Sequence, residues 1–202
     1  MHIPTQMAEF VSYFKQGADT LNSSLELADF ERFGLQGEVR HFKKGEHLIT
    51  QGEPAQNIYF LIHGLARYFS VSVDGKEFTQ SFAGAPGIAG STRAMAFNKP
   101  ALFSIEAMDD ILCLQFNWQD FFTTMEPQPG FLNAYSRLLE HMFAKKEERE
   151  YYLLQKSAEQ RYLEFLDEHP QLRNKIPLKI VASYIGITPI ALSRIRKKLF
   201  QE

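Results

Sequence analysis

The chain has 202 residues, which is enough for one large domain or two small domains with a buried core. A hydrophobic share of 45% and a charged share of 23% are ordinary for a soluble globular protein. The net charge of −2 hides an asymmetry, because seven Lys/Arg and one acid lie between Gln171 and Glu202. A basic end on an acidic body is expected when only that end meets phosphate, although a solvated basic helix has the same composition.

The single cysteine, Cys113, excludes an intrachain disulfide and any metal or iron–sulfur site built from cysteines. It lies in the apolar run Ile111–Phe116, which predicts a buried, inert thiol. The first residues lack the basic region and long apolar run of a signal peptide, and no stretch approaches the roughly 18 apolar residues of a membrane span. We therefore expect a cytoplasmic protein with no membrane partner, no metal and no cofactor.

Residues 5–33 carry apolar side chains at helical spacing and predict short helices, with a turn at Ser23-Ser24. From about Gly37 to Phe116 the pattern changes to short apolar or alternating runs separated by glycine-bearing turns. Strands at this spacing favour an antiparallel barrel or jelly roll. The predicted strands are Val39–Phe42, His47–Thr50, Ile58–Ile62, Ala66–Val73, Phe78–Phe82, Ser104–Ala107 and Ile111–Phe116.

Two connections within this region stand out. Asp74-Gly75 is a strong hairpin dipeptide between two predicted strands. The stretch Gly84–Pro100 is small, polar and glycine-containing, so we expect a loop or a short helix over the mouth of the barrel.

After Asn117 the apolar period becomes helical, and Pro127 and Pro129 mark the start of a long helix. Apolar or long side chains then recur in steps of three and four, and the first of them form a coiled-coil-like seam. This seam predicts a dimer interface, with packing of the helix on its own domain as the alternative. The predicted interface residues are Leu132, Tyr135, Leu139 and Met142. Ser157 and Gln160 then have the form of a capping box that opens another helix.

Residues Leu178–Lys197 have the pattern of a helix-turn-helix. Ala182 is the small residue that two steeply crossing helices need where they touch, and Gly186 tolerates positive φ in the turn. Thr188 is a good N-cap for the second helix, and Pro189 is a good first-turn residue. The small core between the helices is expected to contain Val181, Ile185, Leu192 and Ile195.

Such a second helix reads base edges mainly through its N-terminal residues, while its flanks contact phosphate. Arg194 is a candidate for a bidentate contact with guanine. The pattern predicts a DNA-binding regulator, with a helical hairpin that has no DNA affinity as the alternative. The predicted DNA-binding residues are Thr188, Pro189, Ile190, Ser193, Arg194, Arg196, Lys197 and Lys198.

Over roughly residues 25–199 the chain resembles the Crp/Fnr family of bacterial transcription regulators. The glycine turns of Phe42–Glu53 and Ile58–Arg67 resemble those of a cyclic-nucleotide-binding barrel. The segment Ile185–Lys197 resembles the family's helix-turn-helix.

The resemblance implies an α+β fold in three parts: an antiparallel β-roll (jelly roll) sensor over 1–128, a dimerisation helix over 129–155 and a winged helix-turn-helix over 156–202. Because the sequence stops soon after Leu199, we expect any wing to come from Leu172–Ile176. The resemblance also implies a homodimer on two-fold symmetric double-stranded DNA, with RNA polymerase as a further partner and an unidentified small-molecule effector left open.

The sequence departs from the family at the effector pocket. Nucleotide-binding members supply a Glu for the ribose and an Arg-Ser pair for the cyclic phosphate, whereas Ala101-Leu102 takes the place of that pair and no acid lies between Glu77 and Glu106. Burying the phosphate without a paired cation would cost several kcal/mol, so we expect no cyclic AMP binding of the usual kind. The resemblance places the pocket at Gly87, Ser91, Arg93, Lys99, Ala101 and Leu102.

The reading helix departs as well. Members that read the common family operator carry Arg and Glu just after the cap and a second Arg four residues later. Pro189 and Ile190 occupy the first two positions, so only Arg194 matches. Ile190 cannot accept a hydrogen bond from cytosine, although it could touch a thymine methyl. We expect a different operator or weaker discrimination.

Two other classes of protein stay open. One is a small-ligand binding module, of the cyclic-nucleotide kind, whose helix-turn-helix is only structural. The other is an enzyme on a cupin-like barrel, which would need paired histidines with a carboxylate; the sequence shows no such grouping, and we expect no enzyme. For a haem the candidates are His41, His47 and His63, with a surface or core role as the alternative.

Overall fold

The computed structural model describes residues 10–14, 25–172 and 175–200. Residues 10–13 are helical, and the short helix α1 (Ala28–Glu31) precedes an antiparallel barrel. The predicted turn at Ser23-Ser24 lies outside the described residues. The strands are β1 (Glu38–Phe42), β2 (His47–Ile49), β3 (Asn57–His63), β4 (Leu65–Val71), β5 (Glu77–Gly84), β6 (Gly87–Ala89), β7 (Ser104–Ala107) and β8 (Ile111–Asn117), with helix α2 (Thr92–Phe97) between β6 and β7.

The strands form two four-stranded antiparallel sheets, of order β1-β8-β3-β6 and β2-β7-β4-β5. This confirms the jelly roll that the alternating runs predict. The Asp74-Gly75 turn joins β4 to β5, and Gly75 has a φ of +79°, a conformation that glycine adopts without steric cost. The sequence does not predict β6, because its single bulky residue, Ile88, lies between two small ones and gives no apolar alternation; β6 lies, with α2, in the stretch Gly84–Pro100.

Two apolar cores stabilise this part of the chain. The first joins the N-terminal segments to the barrel through stacked and edge-on rings, such as Phe14 on Phe30 (centroids 4.7 Å apart) and Phe30 on Phe116 (4.6 Å). The second lies inside the barrel and includes Ile105 and Cys113. The prediction of a buried thiol is confirmed, and burial raises the pKa of Cys113 to about 12, which disfavours the reactive thiolate.

The rest of the chain is helical. Helix α3 (Trp118–Met125) leads into α4 (Phe131–Gln155), whose 25 residues span roughly 37 Å. The predicted capping box is confirmed, because Ser157 and Gln160 bond reciprocally at the start of α5 (Ala158–Glu168). A 3₁₀ turn, Pro170–Leu172, precedes α6 (Leu178–Tyr184) and α7 (Pro189–Phe200).

The expected wing is not seen in the part of this region that the structure describes. Leu172 ends the 3₁₀ turn, Lys175 and Ile176 lie in a turn and a bend, and residues 173 and 174 are outside the described ranges. The segment is short and bounded by Pro170 and Pro177, which have no backbone N–H to give to a ladder. A helix-turn-helix therefore follows α5 without strands among the described residues.

Candidate nucleic-acid interface and effector pocket

The turn between α6 and α7 is built as the sequence predicts. Gly186 has a φ of +74°, its N–H donates to Ser183 O (3.2 Å), and the N–H of Ile187 donates to Ala182 O (3.0 Å). This pair of bonds is a Schellman motif, which ends α6 and turns the chain. Thr188 Oγ1 then accepts from the N–H of Ala191 (3.2 Å) and caps α7. The two helix axes differ in direction by 98°.

A compact core fixes which side of α7 faces outward. Leu192 is fully buried against a cluster that includes Val181, Ala182 and Ile185, while Ile195 packs at its margin. Residues at positions 190, 194 and 197 share the opposite side, because steps of three and four return to one helix face. Ile190 has 67% of its surface exposed. The outward face of α7 consists of Ile190, Ser193, Arg194 and Lys197, with Thr188 and Pro189 exposed just before it.

Two of the predicted phosphate contacts lie elsewhere. Lys198 Nζ is 2.6 Å from Glu159 Oε2 on α5, so its charge already has a partner. Arg196 is half-buried and points away from the outward face. The steps in sequence explain this, since positions 196 and 198 are displaced around the helix from 190 and 194.

Sequence reasoning missed two lysines on the adjoining helix. Lys179 in the first turn of α6 and Lys175 just before it are both exposed. Both lie among the last 32 residues, in which Lys and Arg outnumber the acids, and this excess of positive charge could have identified them. With Arg194 and Lys197 they are four exposed cations, besides the ion-paired Lys198, among the described residues of this end.

An apolar stripe on α4 stays exposed along most of its length. Its members follow steps of four, three and four, so they share one face of the helix. Phe143 and Leu154 were not predicted as interface residues, yet they are 66% and 71% exposed. The stripe contains Leu132, Ser136, Leu139, Phe143 and Leu154, interrupted by Lys146 and Glu150.

The other two predicted interface residues lie off this stripe. Tyr135 packs on its own domain, with its ring 5.9 Å from Phe131, 5.8 Å from Trp118 and 5.5 Å from Phe122. Met142 is 39% exposed at the margin of the stripe. The stripe runs through 136 and 143, whereas 135 packs on the barrel side of the helix and 142 stays exposed beside the stripe.

The predicted effector residues do not converge on one anion site. Arg93 Nη1 donates to Pro100 O at 2.6 Å, and Lys99 is exposed. Ser91 is buried, but its Oγ accepts from the N–H of Ala94 (3.4 Å) as the cap of α2. At the positions of the family's Arg-Ser pair, Ala101 is buried and Leu102 is 60% exposed. Gly87 is buried where a Cβ would come within 2.6 Å of Gly84 O.

The barrel does hold one buried cation, which sequence reasoning missed. Arg67 on β4 is 3% exposed, with Nη2 2.8 Å from Glu77 Oε2 and Nη1 2.8 Å from Glu106 Oε1. Its Nε donates to Thr79 Oγ1 (2.9 Å). Two carboxylates already neutralise it, so it offers no spare charge to a phosphate.

Aromatic side chains fill the space near the predicted pocket. The rings of Tyr68 and Phe103 are 5.4 Å apart, and the N–H of Gly90 donates to the Tyr68 hydroxyl (3.3 Å). Burial raises the pKa of Tyr68 to about 12, so its phenol stays neutral.

Two of the three barrel histidines, His41 and His63, line one small cavity with Asp110, and the third lies on the other sheet. His41 and His63 flank Leu112 on β1 and β3, while His47 packs edge-on against Phe69 (5.7 Å) on the other sheet. Over residues 10–14, 25–172 and 175–200, no three His, Cys, Asp or Glu side chains are grouped to hold a metal ion.

Comparison with known proteins agrees with this geometry. Residues 39–128 match the model of the cyclic nucleotide-binding domain. The chain is 24% identical over 186 residues to the transcriptional activatory protein AadR of Rhodopseudomonas palustris, covering 87% of this chain and 76% of AadR. The chain has the fold of the Crp/Fnr regulators. FixK2 of Bradyrhizobium japonicum superimposes with a TM-score of 0.70 at 16% identity, over 83% of this chain and 86% of FixK2.

A second solved structure with this fold is described as a member of the CRP/FNR family. TTHA1359 of Thermus thermophilus, a transcriptional regulator of the CRP/FNR family, superimposes with a TM-score of 0.66 at 19% identity, over 81% of this chain and 86% of that one. The resemblance drawn from the sequence motifs is thereby confirmed. AadR and TTHA1359 are described as a transcriptional activator and a transcriptional regulator, not as enzymes.

Within the described ranges no single helix has the length and apolar character needed to cross a membrane. Only α6 and α7 together, as a bent pair, reach that length and composition.

Proposed function

We propose that the protein is a homodimeric transcription regulator of the Crp/Fnr type that binds double-stranded DNA through α7. The outward face of α7 carries this proposal. It presents Arg194 and Ile190 near the capped N-terminus of the helix, where a recognition helix contacts base edges. Lys197, Lys175 and Lys179 flank that face as phosphate contacts.

The stripe on α4 supports dimerisation. Four large apolar side chains, from Leu132 to Leu154, lie on one face of a roughly 37 Å helix, which is the arrangement of a two-helix seam. Lys146 and Glu150 interrupt the seam and can pair across it. Two copies joined along α4 present two α7 helices to a two-fold symmetric operator.

The chain divides functionally into a sensor (1–128), a dimerisation helix (129–155) and a DNA-binding region (156–202), acting in the cytoplasm with RNA polymerase as a further partner. The sensor does not take cyclic AMP in the family's usual way. Arg93 bonds a backbone carbonyl, Lys99 lies in solvent and Arg67 is neutralised by two carboxylates. A cyclic phosphate would therefore meet no available cation among the described residues of the pocket.

Selection of bound sequences from a random DNA pool tests this function and yields the operator. On that operator, Arg194→Ala should weaken binding roughly 5- to 150-fold and relax the preference at one base pair, because a bidentate guanine contact is worth about 1–3 kcal/mol. Arg40→Ala, the same change at an exposed arginine of β1, is the matched control and should leave affinity unchanged.

Salt dependence separates the proposal from its alternative. Affinity should fall steeply with salt, and Lys197→Ala should lower the slope by about one released counterion. Negligible binding to every fragment, together with tight binding of a small molecule, would instead favour a ligand-binding module with a structural helix-turn-helix.

A further inference from the structure

One edge of the barrel is closed by a side chain from the helix-turn-helix. Strand β5 is the last strand of its sheet, so one side of its backbone lacks a strand partner among the described residues. Ser183 of α6 occupies that side: its Oγ accepts from the N–H of Thr79 (2.8 Å) and donates to Glu77 O (3.0 Å). A single hydroxyl thus satisfies both a donor and an acceptor of the open edge.

Ser183 also belongs to the turn that directs α7. Its neighbours Ala182 and Tyr184 are buried in the helix-turn-helix core, which turns the Ser183 side chain toward the barrel. Its carbonyl accepts from the N–H of Gly186, one of the two bonds of the Schellman motif. The same residue therefore contacts the barrel edge and the turn between α6 and α7.

The β5 side of this contact is tied firmly to the rest of the barrel. The side chains of Glu77 and Thr79 both bond the buried guanidinium of Arg67, which also bonds Glu106 on β7. The two backbone groups that Ser183 bonds therefore belong to residues that are linked through Arg67 to strands β4 and β7. A shift of β5 would therefore move the two backbone groups that Ser183 bonds.

Other contacts also hold α6 against the barrel, but none of those described below fixes its position along strand β5. The ring of Phe82 on β5 lies 5.4 Å from that of Tyr184, and Leu65 and Met108 pack on the same cluster. From α4, Arg149 lies 3.9 Å over the Tyr184 ring and bonds its carbonyl. Ring packing tolerates sliding, whereas the paired hydrogen bonds of Ser183 require one position along the strand.

We propose that Ser183 is a positioning residue for DNA recognition: its hydroxyl sets the register of α6 on β5, and thereby the direction of α7. This role rests on the proposed DNA-binding function. In a dimer the direction of each α7 determines which spacing of operator half-sites both helices can reach. Ser183 therefore controls spacing preference more than contact with any base.

The test compares Ser183→Ala with Ser183→Thr. Alanine favours the helix, so the first variant removes the hydroxyl without breaking α6, and the second restores it. The first readout is hydrogen exchange at the Thr79 amide, which should accelerate roughly 2- to 12-fold in the alanine variant, the factor that corresponds to the usual net worth of a hydrogen bond. The threonine variant should exchange as the unsubstituted protein does.

The second readout is the affinity ratio between the selected operator and the same operator with one base pair inserted between its half-sites. Ser183→Ala should reduce this ratio, and Ser183→Thr should restore it. A change in stability alone would weaken both operators equally. An accelerated Thr79 amide with an unchanged ratio would overturn the positioning role alone. Failure of the unsubstituted protein to bind DNA would overturn the proposed function, and the role with it.

Discussion

At the scale of single residues, His169 is a half-buried titratable group that lies between α5, α6 and β5. It caps the end of α5, with its ring 5.4 Å from Phe165 and 6.1 Å from Phe82, and its Nε2 is 3.5 Å from the Tyr184 hydroxyl. Burial lowers the pKa of His169, and the positive charges of Lys145 and Arg149 lower it further. The folded protein therefore disfavours the charged form of this imidazole.

This predicts a loss of stability in acid. The unfolded chain takes up a proton at His169 near the ordinary pKa of about 6.5, whereas the folded chain resists it, so the free energy of unfolding should fall as the pH drops below that value. Urea unfolding between pH 7.5 and 5 measures the slope. His169→Gln should make it shallower, with His41→Gln as the control for removing a histidine. An unchanged slope in His169→Gln would contradict the prediction.

At the scale of elements, α4 has two sides with different roles. Its inner side, including Leu138 and Tyr152, is buried on the chain's own domains, while the stripe through Leu139 and Phe143 faces outward. A helix this exposed gains little from packing on its own chain, and most helical stability in proteins comes from a buried apolar face. The proposed dimer would bury the exposed stripe in this way.

A charge on the stripe should therefore separate the dimer. Phe143→Glu places a carboxylate where two helices meet, so sedimentation should show monomer at concentrations where the unsubstituted protein is dimeric. Ala144→Glu adds the same charge one position along, on an exposed side away from the stripe, and should stay dimeric. Equal effects of the two substitutions would place the interface elsewhere.

At the scale of the whole molecule, the barrel has the architecture of a cyclic nucleotide-binding domain, and its predicted pocket offers few groups that could bind an anion. Residues 39–128 match the cyclic nucleotide-binding domain, yet the cations near the pocket are engaged or exposed. Tyr68 and Phe103 occupy the adjoining space with neutral rings. We therefore expect the proposed sensor pocket to favour an uncharged ligand over a cyclic nucleotide.

Cyclic AMP should consequently leave the stability of the protein unchanged. A ligand at 100 times its Kd adds about 2.7 kcal/mol to the free energy of unfolding, an effect that a thermal melt detects readily. We expect no shift in Tm at millimolar cyclic AMP and no heat of binding by titration calorimetry. Micromolar affinity in the titration would overturn this assignment of the pocket.

The sequence by itself determined the elements whose signals are local. The Asp74-Gly75 hairpin, the Ser157 capping box and the Gly186 turn each depend on a few adjacent residues, so their chemistry predicts their structure. The strand pattern likewise follows from alternation, and the seven predicted strands lie within one or two residues of their predicted bounds. The helix-turn-helix is of this kind, since its cap, glycine and apolar spacing all act within about 20 residues.

Only the tertiary structure decided what depends on distant partners. The orientation of α4 on the barrel places Tyr135 inward and Phe143 outward. The spacing of apolar residues along one helix does not reveal this orientation. Lys198 pairs with Glu159, and the buried Arg67 pairs with Glu106. Both salt bridges join residues that lie tens of positions apart in the sequence. Ser183 meets β5 across more than 100 residues. Local sequence signals thus predict the position of the proposed recognition helix, α7. The packing of separate elements determines which of its side chains face outward.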